Sequence, residues 1–325
     1  MIRRREFTTL LGGAAAWPLA ARAQQGAMPM VGYLTPASPS PRSRPAFHKG
    51  LNESGFFEGR NVVIELRSAF NDYSRLPELA ADLVRRRAAV IYASGGAVAA
   101  RAAKAATSTI PIVFAMGDDP VADGLVASFN RPGGNVTGIA FLAAELGPKR
   151  LGLLKELVPA AAHYAVLVNP GNPATERIIA ELRAAARVIG KQVEFFTATS
   201  NSEIDSAFAD LVQRNADALV VGNSSFFVDR SVQLATLAAH HHLPAIYYYR
   251  RIVEVGGLMS YGASIEEATY QAGVYVGRIL RGEKPGDLPV MQTTKFELVI
   301  NRQTAKVLGL KVPPTLIALA DEVIE

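Results

Sequence analysis

The chain has 325 residues, of which 49% are hydrophobic and 19% charged, and its formal net charge is +5. This length and apolar content are enough for a large core and favour two domains. The sequence contains no cysteine, which excludes disulfides, cysteine-bound metals, thiol catalysis and a lipid attached to a cysteine.

The N-terminal segment predicts an export signal. A charged stretch containing Arg4-Arg5-Glu6-Phe7 precedes a short apolar run and an Ala21-Arg22-Ala23 cleavage motif, an order typical of signal peptides. The paired arginines resemble the twin-arginine signal, which a receptor reads and which is not an anchor. A disordered basic tail and a first helix of the fold are the alternatives. We expect residues 1–23 to be removed, leaving a soluble periplasmic protein.

Removal of this segment changes the charge balance. The remaining chain has 30 basic and 28 acidic residues, a net charge of +2. Nucleic-acid binding requires a basic stripe on one face, and the sequence offers only Arg85-Arg86-Arg87, which suits the solvated end of a helix. We therefore expect a small-molecule ligand and no nucleic-acid partner.

From residue 30 onward, short apolar runs alternate with longer amphipathic stretches. The predicted strands cover residues 30–34, 61–66, 89–93, 111–115, 164–168, 192–197, 217–221, 244–248, 257–261 and 296–300. The predicted helices cover residues 76–86, 97–107, 174–189, 203–213 and 266–281. Several strands are apolar on both faces, as expected of parallel strands covered by helices. The alternation indicates an α/β fold with doubly wound parallel sheets.

An internal repeat favours two similar lobes. Ala81–Ala88 recurs as Ala209–Ala216. Each copy ends a predicted helix and leads into an apolar strand, a small polar cluster, a further helix and a strand that begins at a proline. Coincidence is the alternative, because Ala-Asp-Leu-Val is a common helical string.

Three segments are predicted to connect the lobes, near residues 140–147, at Tyr261–Ser264 and at Pro285–Gln292. The predicted boundaries are 29–143 with 267–290 for the first lobe, and 144–266 with 291–325 for the second. Three connections are typical of a hinge that closes on a ligand.

Ligands of open α/β sheets bind beyond the carboxyl ends of the strands, which selects the loops after the predicted strands. The candidate ligand-binding residues in these loops are Thr35, Pro36, Ser94, Gly95, Gly96, Asp118, Asp119, Asn169, Asn223, Ser224, Ser225, Tyr247, Tyr248 and Tyr261.

Ser94-Gly95-Gly96 is the predicted anion site. Glycines let a ligand approach the backbone, and the following helix offers N–H groups and the positive end of its dipole. A carboxylate suits this position, with Ser94 as an additional donor. Alternatively, Ser94 caps the helix. The segment is not a phosphate-binding P-loop, since the Gly-Lys-Ser/Thr ending is missing.

Two acidic residues and a tyrosine run supply the other predicted contacts. Asp119 fits the cap of a helix starting near Pro120, whereas Asp118 is freer to face the cleft and hold a cation or ammonium. Tyr247-Tyr248-Tyr249 offers a stacking wall, although strand alternation lets at most two of the three rings share a side.

The sequence contains little that indicates metal binding or catalysis. His240-His241-His242 ends a predicted helix, and consecutive helical residues point in different directions, so we expect no metal site and no cofactor. Gly-x-Ser-x-Gly, His-Glu-x-x-His and dinucleotide glycine motifs are missing. We therefore expect a protein that is not an enzyme.

Two runs resemble a known family. Asp119-Pro120-Val121 with Gly124–Ser128 and Arg131–Gly138, and separately Gly256–Gly262, resemble the ABC transporter substrate-binding family that includes tryptophan- and tyrosine-binding importer components. The resemblance covers essentially residues 29–325. It implies the type I periplasmic-binding-protein fold, a ligand clamped between two lobes, and an ABC permease as partner of a monomeric protein.

The resemblance also implies ligand residues. Carried over by position, these are Thr35, Ser94, Gly95, Asp119 and the loop 223–225. Where the family suggests an acidic residue for an amino group, the second lobe has Asn223-Ser224-Ser225 and Tyr248-Tyr249-Arg250. We therefore expect a small carboxylate-bearing ligand, either an aromatic amino acid or an aromatic acid. A periplasmic sensor that feeds a membrane receptor and an enzyme on the same scaffold are the alternative functions.

Overall fold

A computed structural model describes residues 28–39, 42–141, 146–293 and 295–325 of the chain. The predicted signal peptide, residues 1–23, lies outside these residues. Among the described segments, no helix combines the length and apolar character needed to cross a membrane.

The described residues contain two β-sheets. Their strands are β1 (Met30–Thr35), β2 (Val63–Ser68), β3 (Val90–Ser94), β4 (Ile112–Met116), β5 (Val136–Ala140), β6 (His163–Val168), β7 (Gln192–Thr197), β8 (Ala218–Val221), β9 (Ala245–Tyr247), β10 (Met259–Ala263), β11 (Met291–Gln292), β12 (Phe296–Asn301) and β13 (Glu322–Ile324). One sheet has the order β11-β5-β4-β3-β1-β2, and the other has the order β13-β12-β10-β9-β8-β6-β7. Their paired strands are parallel except for β10 with β12.

Helices connect these strands. They are α1 (Ser43–Glu53), α2 (Leu76–Arg85), α3 (Ala97–Ala106), α4 (Gly147–Leu157), α5 (Thr175–Val188), α6 (Asn201–Gln213), α7 (Ser225–Asp229), α8 (Ser231–His240), α9 (Arg250–Glu254), α10 (Ile265–Leu280), α11 (Arg302–Val307) and α12 (Pro314–Leu319). The predicted doubly wound α/β architecture is confirmed, because each sheet carries buried helices on both faces.

We call the six-stranded sheet with its helices the first lobe. Helices α2 and α3 pack on one face, where Leu83 and Ala100 join the core around Phe114. Helices α1 and α10 cover the other face, where Phe47 and Val276 pack against the central strands. Helices α1 and α10 approach closely because glycines stand at their contact: a Cβ on Gly50 would lie 2.0 Å from the Tyr270 carbonyl oxygen.

The seven-stranded sheet with its helices forms the second lobe. Helices α4 and α5 supply Leu154 and Leu182 to one buried face. Helices α6, α8 and α9 supply Phe208, Leu234 and Ile252 to the other. Central strands such as β8 are therefore buried on both faces, which explains why β8 is apolar along its whole length, whereas the edge strand β7 alternates with polar residues.

The internal repeat extends to the backbone conformation. After α2, Arg87 has φ 57°, and after α6 the equivalent residue Asn215 has φ 55°. A left-handed residue just beyond a helix end is a common way to terminate a helix. In both copies the next strand, β3 or β8, lies near the centre of its sheet.

The chain passes between the lobes three times. The passages follow β5, β10 and β11, and the first includes residues 142–145, which lie outside the described segments. Strand β11 pairs with β5, so Met291 and Gln292 lie in the first sheet. The predicted boundary after residue 290 is two residues early, because the chain crosses only after this short strand.

Some elements escaped the sequence prediction. Strands β5, β11 and β13 were not predicted, nor were α1, α7, α9, α11 and α12. The helix predicted near Pro120 is wrong: residues 120–124 form turns. The Asp123 amide does bond to the Asp119 carbonyl oxygen, but Gly124 with φ 66° ends the turn before a helix can continue.

Candidate functional site

The carboxyl ends of both sheets face a common cleft. The first lobe contributes residues that follow β1, β3 and β4, among them Thr35, Ser94, Gly95, Gly96 and Asp118. The second lobe contributes the start of α5 and the loops after β8 and β9, among them Asn172, Asn223, Ser224, Ser225 and Tyr248. Nine of the predicted ligand-binding residues therefore lie together around one cavity.

The predicted anion segment lies at the start of α3. Gly95 has φ 84° and a Cβ there would lie 2.9 Å from the Pro36 ring, so this turn requires glycine. The cap residue of α3 is Gly96, and no side chain caps the helix. Ser94 is the last residue of β3 instead, so the alternative reading, in which Ser94 caps the helix, is wrong. Among the described residues, the Gly95 and Gly96 amides have no backbone acceptor.

Asp118 lies at the same helix start. Its side chain is only 4% exposed, and its Oδ2 accepts a long, 3.4 Å hydrogen bond from the Ala97 amide. Its Oδ1 is buried and has no hydrogen-bond partner in the described structure. Burial, assisted by the nearby Asp123 carboxyl, raises the pKa of Asp118 to about 6. This carboxylate is desolvated and incompletely paired, which is an unfavourable state without a cationic partner.

Asp119 has a different role from its neighbour. Its Oδ1 accepts hydrogen bonds from the Val121 and Ala122 amides at 2.8 and 3.2 Å. It therefore caps a turn and does not line the cleft. The structure does not bring this residue to the ligand cavity, although the family resemblance suggested it.

Thr35 and Pro36 shape the rim next to the glycines. The Thr35 hydroxyl donates to the Ala37 carbonyl oxygen at 2.8 Å, which fixes the turn after β1. Pro36 packs against Gly95 and does not itself line the cavity.

The second-lobe side of the cleft is a connected hydrogen-bond network. The Asn169 side chain donates to the Ser224 hydroxyl at 3.1 Å and accepts from the Gly171 amide at 2.7 Å. The Asn172 side chain donates to the Asn223 carbonyl oxygen at 2.7 Å. Asn169 thus lies behind the cavity lining and positions the loop that follows β8.

The tyrosine run divides between core and cleft. Tyr247 is the last residue of β9 and is fully buried in the second-lobe core, so the expectation that it contacts ligand is wrong. Tyr248 and Tyr249 both line the cleft. The rule that successive strand residues point to opposite faces does not apply to Tyr248 and Tyr249, because β9 ends at Tyr247. The Tyr248 hydroxyl donates to the Ser224 carbonyl oxygen at 2.7 Å, and the Tyr249 hydroxyl donates to Glu266 at 3.0 Å.

Tyr261 also lies away from the cavity. It belongs to β10, packs with the second-lobe core, and its ring centroid is 6.1 Å from that of Phe296. The side chain therefore supports the sheet at the second passage between the lobes.

Sequence reasoning missed a group of cross-lobe contacts. The Asn71 side chain donates to Asp229 Oδ2 at 2.8 Å, and the Tyr73 and Ser225 hydroxyls are 3.1 Å apart. Phe70 and Asn71 have φ 51° and 70°, a strained conformation for a pair of non-glycine residues. The loop after β2 thus reaches across the cleft to α7, which is consistent with a closed state.

Asp229 corrects one sequence expectation. We expected no acidic residue in the second-lobe part of the site, yet Asp229 lines the cleft. It was missed because the short helix α7 was not predicted. Among the described residues, the lining includes two carboxylates, Asp118 and Asp229, and no lysine or arginine. This charge distribution favours a ligand that carries a positive group.

The histidine run lies elsewhere, at the end of α8, with the His240 and His241 ring centroids 4.8 Å apart and nearly perpendicular. Within the described segments, no cluster of three or more histidine, cysteine or acidic side chains is arranged to hold a metal ion.

Comparison with known proteins identifies the family. Residues 41–324 match the family model described as ABC transporter substrate binding protein. A tyrosine-binding protein of Clostridioides difficile is 30% identical over 271 residues, which cover 83% of this chain and 77% of that protein. The chain belongs to the ABC transporter substrate-binding protein family. The resemblance noted from the sequence is thereby confirmed, and this is a family of binding proteins and not of enzymes.

Solved structures agree with this assignment. An ABC domain from Streptococcus pneumonia in complex with L-Trp is 25% identical, covers 92% of this chain and 100% of its own, and superposes with a TM-score of 0.81. A leucine binding protein from Thermotoga maritima is 10% identical, covers 78% of this chain and 83% of its own, and has a TM-score of 0.58. The latter likeness shows the fold alone, which is the type I periplasmic-binding-protein fold.

Proposed function

We propose that this substrate-binding protein captures a zwitterionic amino acid with an aromatic side chain and delivers it to an ABC importer. The observation that carries the proposal is the buried Asp118 carboxylate, whose Oδ1 has no hydrogen-bond partner in the part of the chain that the structure describes. A bound ammonium group would supply the missing donor and the missing positive charge. A ligand that carries only a carboxylate would leave this site uncompensated.

The ligand carboxylate fits the adjacent glycine turn. The Gly95 and Gly96 amides and the start of α3 offer donors, and the positive end of the helix dipole favours negative charge there. A Cβ on Gly96 would lie 3.9 Å from Asp118 Oδ2. Donors for a carboxylate and an acceptor for an ammonium thus occur side by side, which matches the α-carboxylate and α-amino groups of one amino acid.

The aromatic part of the ligand is assigned to the remaining cavity. Tyr33, Phe141, Tyr248 and Tyr249 all line it, and aromatic rings bind other rings by stacking in addition to area burial. The tyrosine-binding relative and the structure in complex with L-Trp support an aromatic amino acid. The cross-lobe contacts at Asn71 and Tyr73 support closure around it, since a ligand that bridges two lobes favours the closed state.

The proposal also includes the cellular compartment in which the protein acts. The twin-arginine and cleavage motifs of residues 1–23 support export to the periplasm, followed by delivery to a permease by a soluble monomer. Substitution of both Arg4 and Arg5 by lysine should trap the precursor in the cytoplasm. Normal periplasmic amounts of that variant would contradict export through the twin-arginine route.

Calorimetry with defined ligands tests the proposed ligand class. The chain from Gln24 onward is unfolded and refolded to remove any carried ligand, then titrated with tyrosine, tryptophan, phenylalanine, leucine, glutamate and arginine. We expect at least one aromatic amino acid to bind with a Kd in the micromolar range or below, and the others at least tenfold more weakly. The single tryptophan of the sequence, Trp17, is absent from the protein that starts at Gln24, so indole fluorescence of that protein would report bound tryptophan alone. Failure of all aromatic amino acids to bind would overturn the proposal.

A further inference from the structure

A second pocket lies in the second lobe, at the opposite end of the sheet from the cleft. It is lined by the first residues of β6 and β7, by the carboxyl-terminal part of α5 and by residues that follow α6. Because β6 and β7 are parallel, their amino ends share this end of the sheet, whereas their carboxyl ends face the cleft. The pocket is therefore separate from the proposed ligand site, and we call it the basic pocket.

Four basic side chains and one acidic side chain line the basic pocket. The basic residues are Arg183, Arg187, Lys191 and Arg214, and the acidic residue is Glu194. Glu194 is paired with Arg214, and the other three basic groups form no ion pair among the described residues. Arg183 and Arg187 lie four residues apart on α5, where like charges repel one another. A bound anion would relieve this repulsion.

Uncharged neighbours hold two of these basic groups in place without neutralising them. The Arg183 guanidinium lies 5.3 Å from the centre of the Phe195 ring, which is a cation–π contact. The Lys191 ammonium donates to the Ala161 carbonyl oxygen. Neither a ring nor a carbonyl removes the positive charge, so both groups are positioned and remain able to attract an anion.

A buried tyrosine at the basic pocket supplies an uncharged donor. Tyr164 on β6 lines the pocket and is 1% exposed, and its hydroxyl makes no hydrogen bond within the described residues. Burial raises the pKa of Tyr164, and the nearby Asp217 carboxylate adds to this effect, so the hydroxyl stays protonated. Asp217 accepts instead from the Ala162 and His163 amides, at 2.7 and 2.9 Å. An anion in the pocket would give the tyrosine hydroxyl an acceptor.

The corresponding corner of the first lobe pairs three arginines with carboxylates. In the internal repeat Arg86 is the counterpart of Arg214, and each pairs with a glutamate of the edge strand of its sheet. The other arginines that contact the carboxylates of this corner are Arg67 and Arg85. The repeated fold therefore does not require the unpaired arginines of α5, which points to a role in binding.

We propose that the basic pocket is a second binding site, for a molecule that carries clustered phosphate groups. A guanidinium binds two phosphate oxygens with parallel hydrogen bonds, and Arg183 and Arg187 stand about one helical turn apart. Lys191 adds a point charge, and the Tyr164 hydroxyl adds a neutral donor. The phosphate groups belong to a free molecule or to the headgroups of an anionic lipid. This inference does not depend on the ligand proposed for the cleft.

Inorganic pyrophosphate and lipid vesicles distinguish these two sources. The chain from Gln24 onward is titrated with pyrophosphate by calorimetry, and its sedimentation is measured with vesicles of phosphatidylglycerol and of phosphatidylcholine. We expect pyrophosphate to bind with a Kd of about 1 mM or below at low salt, and more weakly as salt screens the exposed charges. Additional binding to phosphatidylglycerol, but not to phosphatidylcholine, would identify lipid headgroups as the source. Binding of pyrophosphate without either vesicle would identify a free phosphate-bearing molecule.

Charge-matched variants test the position of the site. Arg183→Gln combined with Arg187→Gln should weaken pyrophosphate binding about tenfold, since two charged donors are lost, and Tyr164→Phe should weaken it about threefold. Arg85→Gln combined with Arg86→Gln is the matched control, because it removes the same charge from the corresponding corner of the first lobe; binding should stay within twofold. Melting curves measured by circular dichroism verify that each variant is folded. Equal losses in the two double variants, or failure of the wild type to bind pyrophosphate, would overturn the site and leave the proposed function untouched.

Discussion

The two walls of the cleft differ in how their polar groups are paired. In the first-lobe wall, Asp118 Oδ1 is buried without a partner and the Gly95 and Gly96 amides have no backbone acceptor, both among the described residues. In the second-lobe wall, the side-chain hydrogen bonds of Asn169, Asn172, Tyr248 and Tyr249 are already made within the protein. Asn223 Oδ1 is the exception in this wall, since it is buried without a partner among the described residues.

This contrast assigns different tasks to the walls. Unpaired buried groups are unfavourable in the free protein and gain most from a ligand, so the first-lobe wall should determine which ligand binds. A prebuilt network is rigid and stabilises its own lobe, so the second-lobe wall should mainly cover the ligand on closure. Substitutions on the first wall should change affinity, whereas substitutions behind the second should change stability.

The largest effect is expected at Asp118. Asp118→Asn keeps the shape but removes the charge, and it should weaken amino-acid binding by about 3 kcal/mol, the scale of a broken buried ion pair. Asp119→Asn is the matched control, since its carboxylate caps a turn outside the cavity; it should leave affinity within twofold. Calorimetry of both variants checks this, and equal losses for the two would remove the distinction between the neighbouring aspartates.

The pH dependence of binding should follow the same carboxyl. The pKa of Asp118 is raised to about 6 by burial, and an ammonium ligand needs the charged form. Affinity should therefore be constant above pH 7 and fall as the pH drops below about 6, approaching tenfold per pH unit, while Asp118→Asn should show no such fall. Titrations between pH 5 and pH 8 test this, and a flat wild-type profile would contradict it.

The free energy of unfolding of the ligand-free protein should change with pH in the direction opposite to ligand affinity. The folded-state pKa of Asp118 lies above its usual value of 3.8, so between pH 4 and pH 6 the folded state binds more protons than the unfolded state. The contribution of Asp118 to the free energy of unfolding is therefore smaller above pH 6 than below pH 4. The difference is on the order of 2–3 kcal/mol. Denaturant unfolding of ligand-free wild type and Asp118→Asn at pH 7 measures it; the variant should be more stable.

Ser94→Ala and Asn169→Ala compare the two walls directly. Ser94→Ala should weaken ligand binding by about 1–2 kcal/mol, the scale of a hydrogen bond to a charged group, with unfolding free energy unchanged, because Ser94 does not cap α3. Asn169→Ala should lower the unfolding free energy by about 2 kcal/mol, since Ser224 and the Gly171 amide lose their buried partner, with affinity changed less. The reverse pattern would contradict the division of tasks.

The smallest effect is expected where the walls meet. Asn71→Gly removes the amide that bonds Asp229 but keeps a residue suited to φ 70°. Loss of this bond should raise the ligand dissociation rate about fivefold, equivalent to about 1 kcal/mol, with the association rate unchanged, because the contact forms only in the closed state. Stopped-flow kinetics measures both rates; an unchanged dissociation rate would contradict a role for Asn71 in closure.

Features that depend on residues close together in the sequence could be predicted, whereas features that depend on contacts between distant segments could not. Strands such as β3 and β6 were found because burial on both faces makes them continuously apolar. Strand β5 was missed because its Gly138 interrupts the apolar pattern, and β11 because two residues are too few to form one.

The candidate site follows the same rule. Ser94, Gly95, Gly96 and Asp118 could be predicted because strand ends of a parallel sheet share one edge. Asp229 and Asn71 could not, since their proximity depends on how one lobe meets the other. Tyr247 was misplaced because alternation was applied beyond the strand, which ends at that residue.

The most direct test of the account removes the amino group from the ligand. Tyrosine and 3-(4-hydroxyphenyl)propanoate share a carboxylate and a phenol and differ in the ammonium group, so calorimetry of both at pH 7.5 isolates the contact to Asp118. We expect the wild type to bind the compound without the amino group at least 100-fold more weakly, and Asp118→Asn to bind the two within threefold of each other. Equal affinity of the wild type for both would contradict the claim that Asp118 recognises an ammonium group.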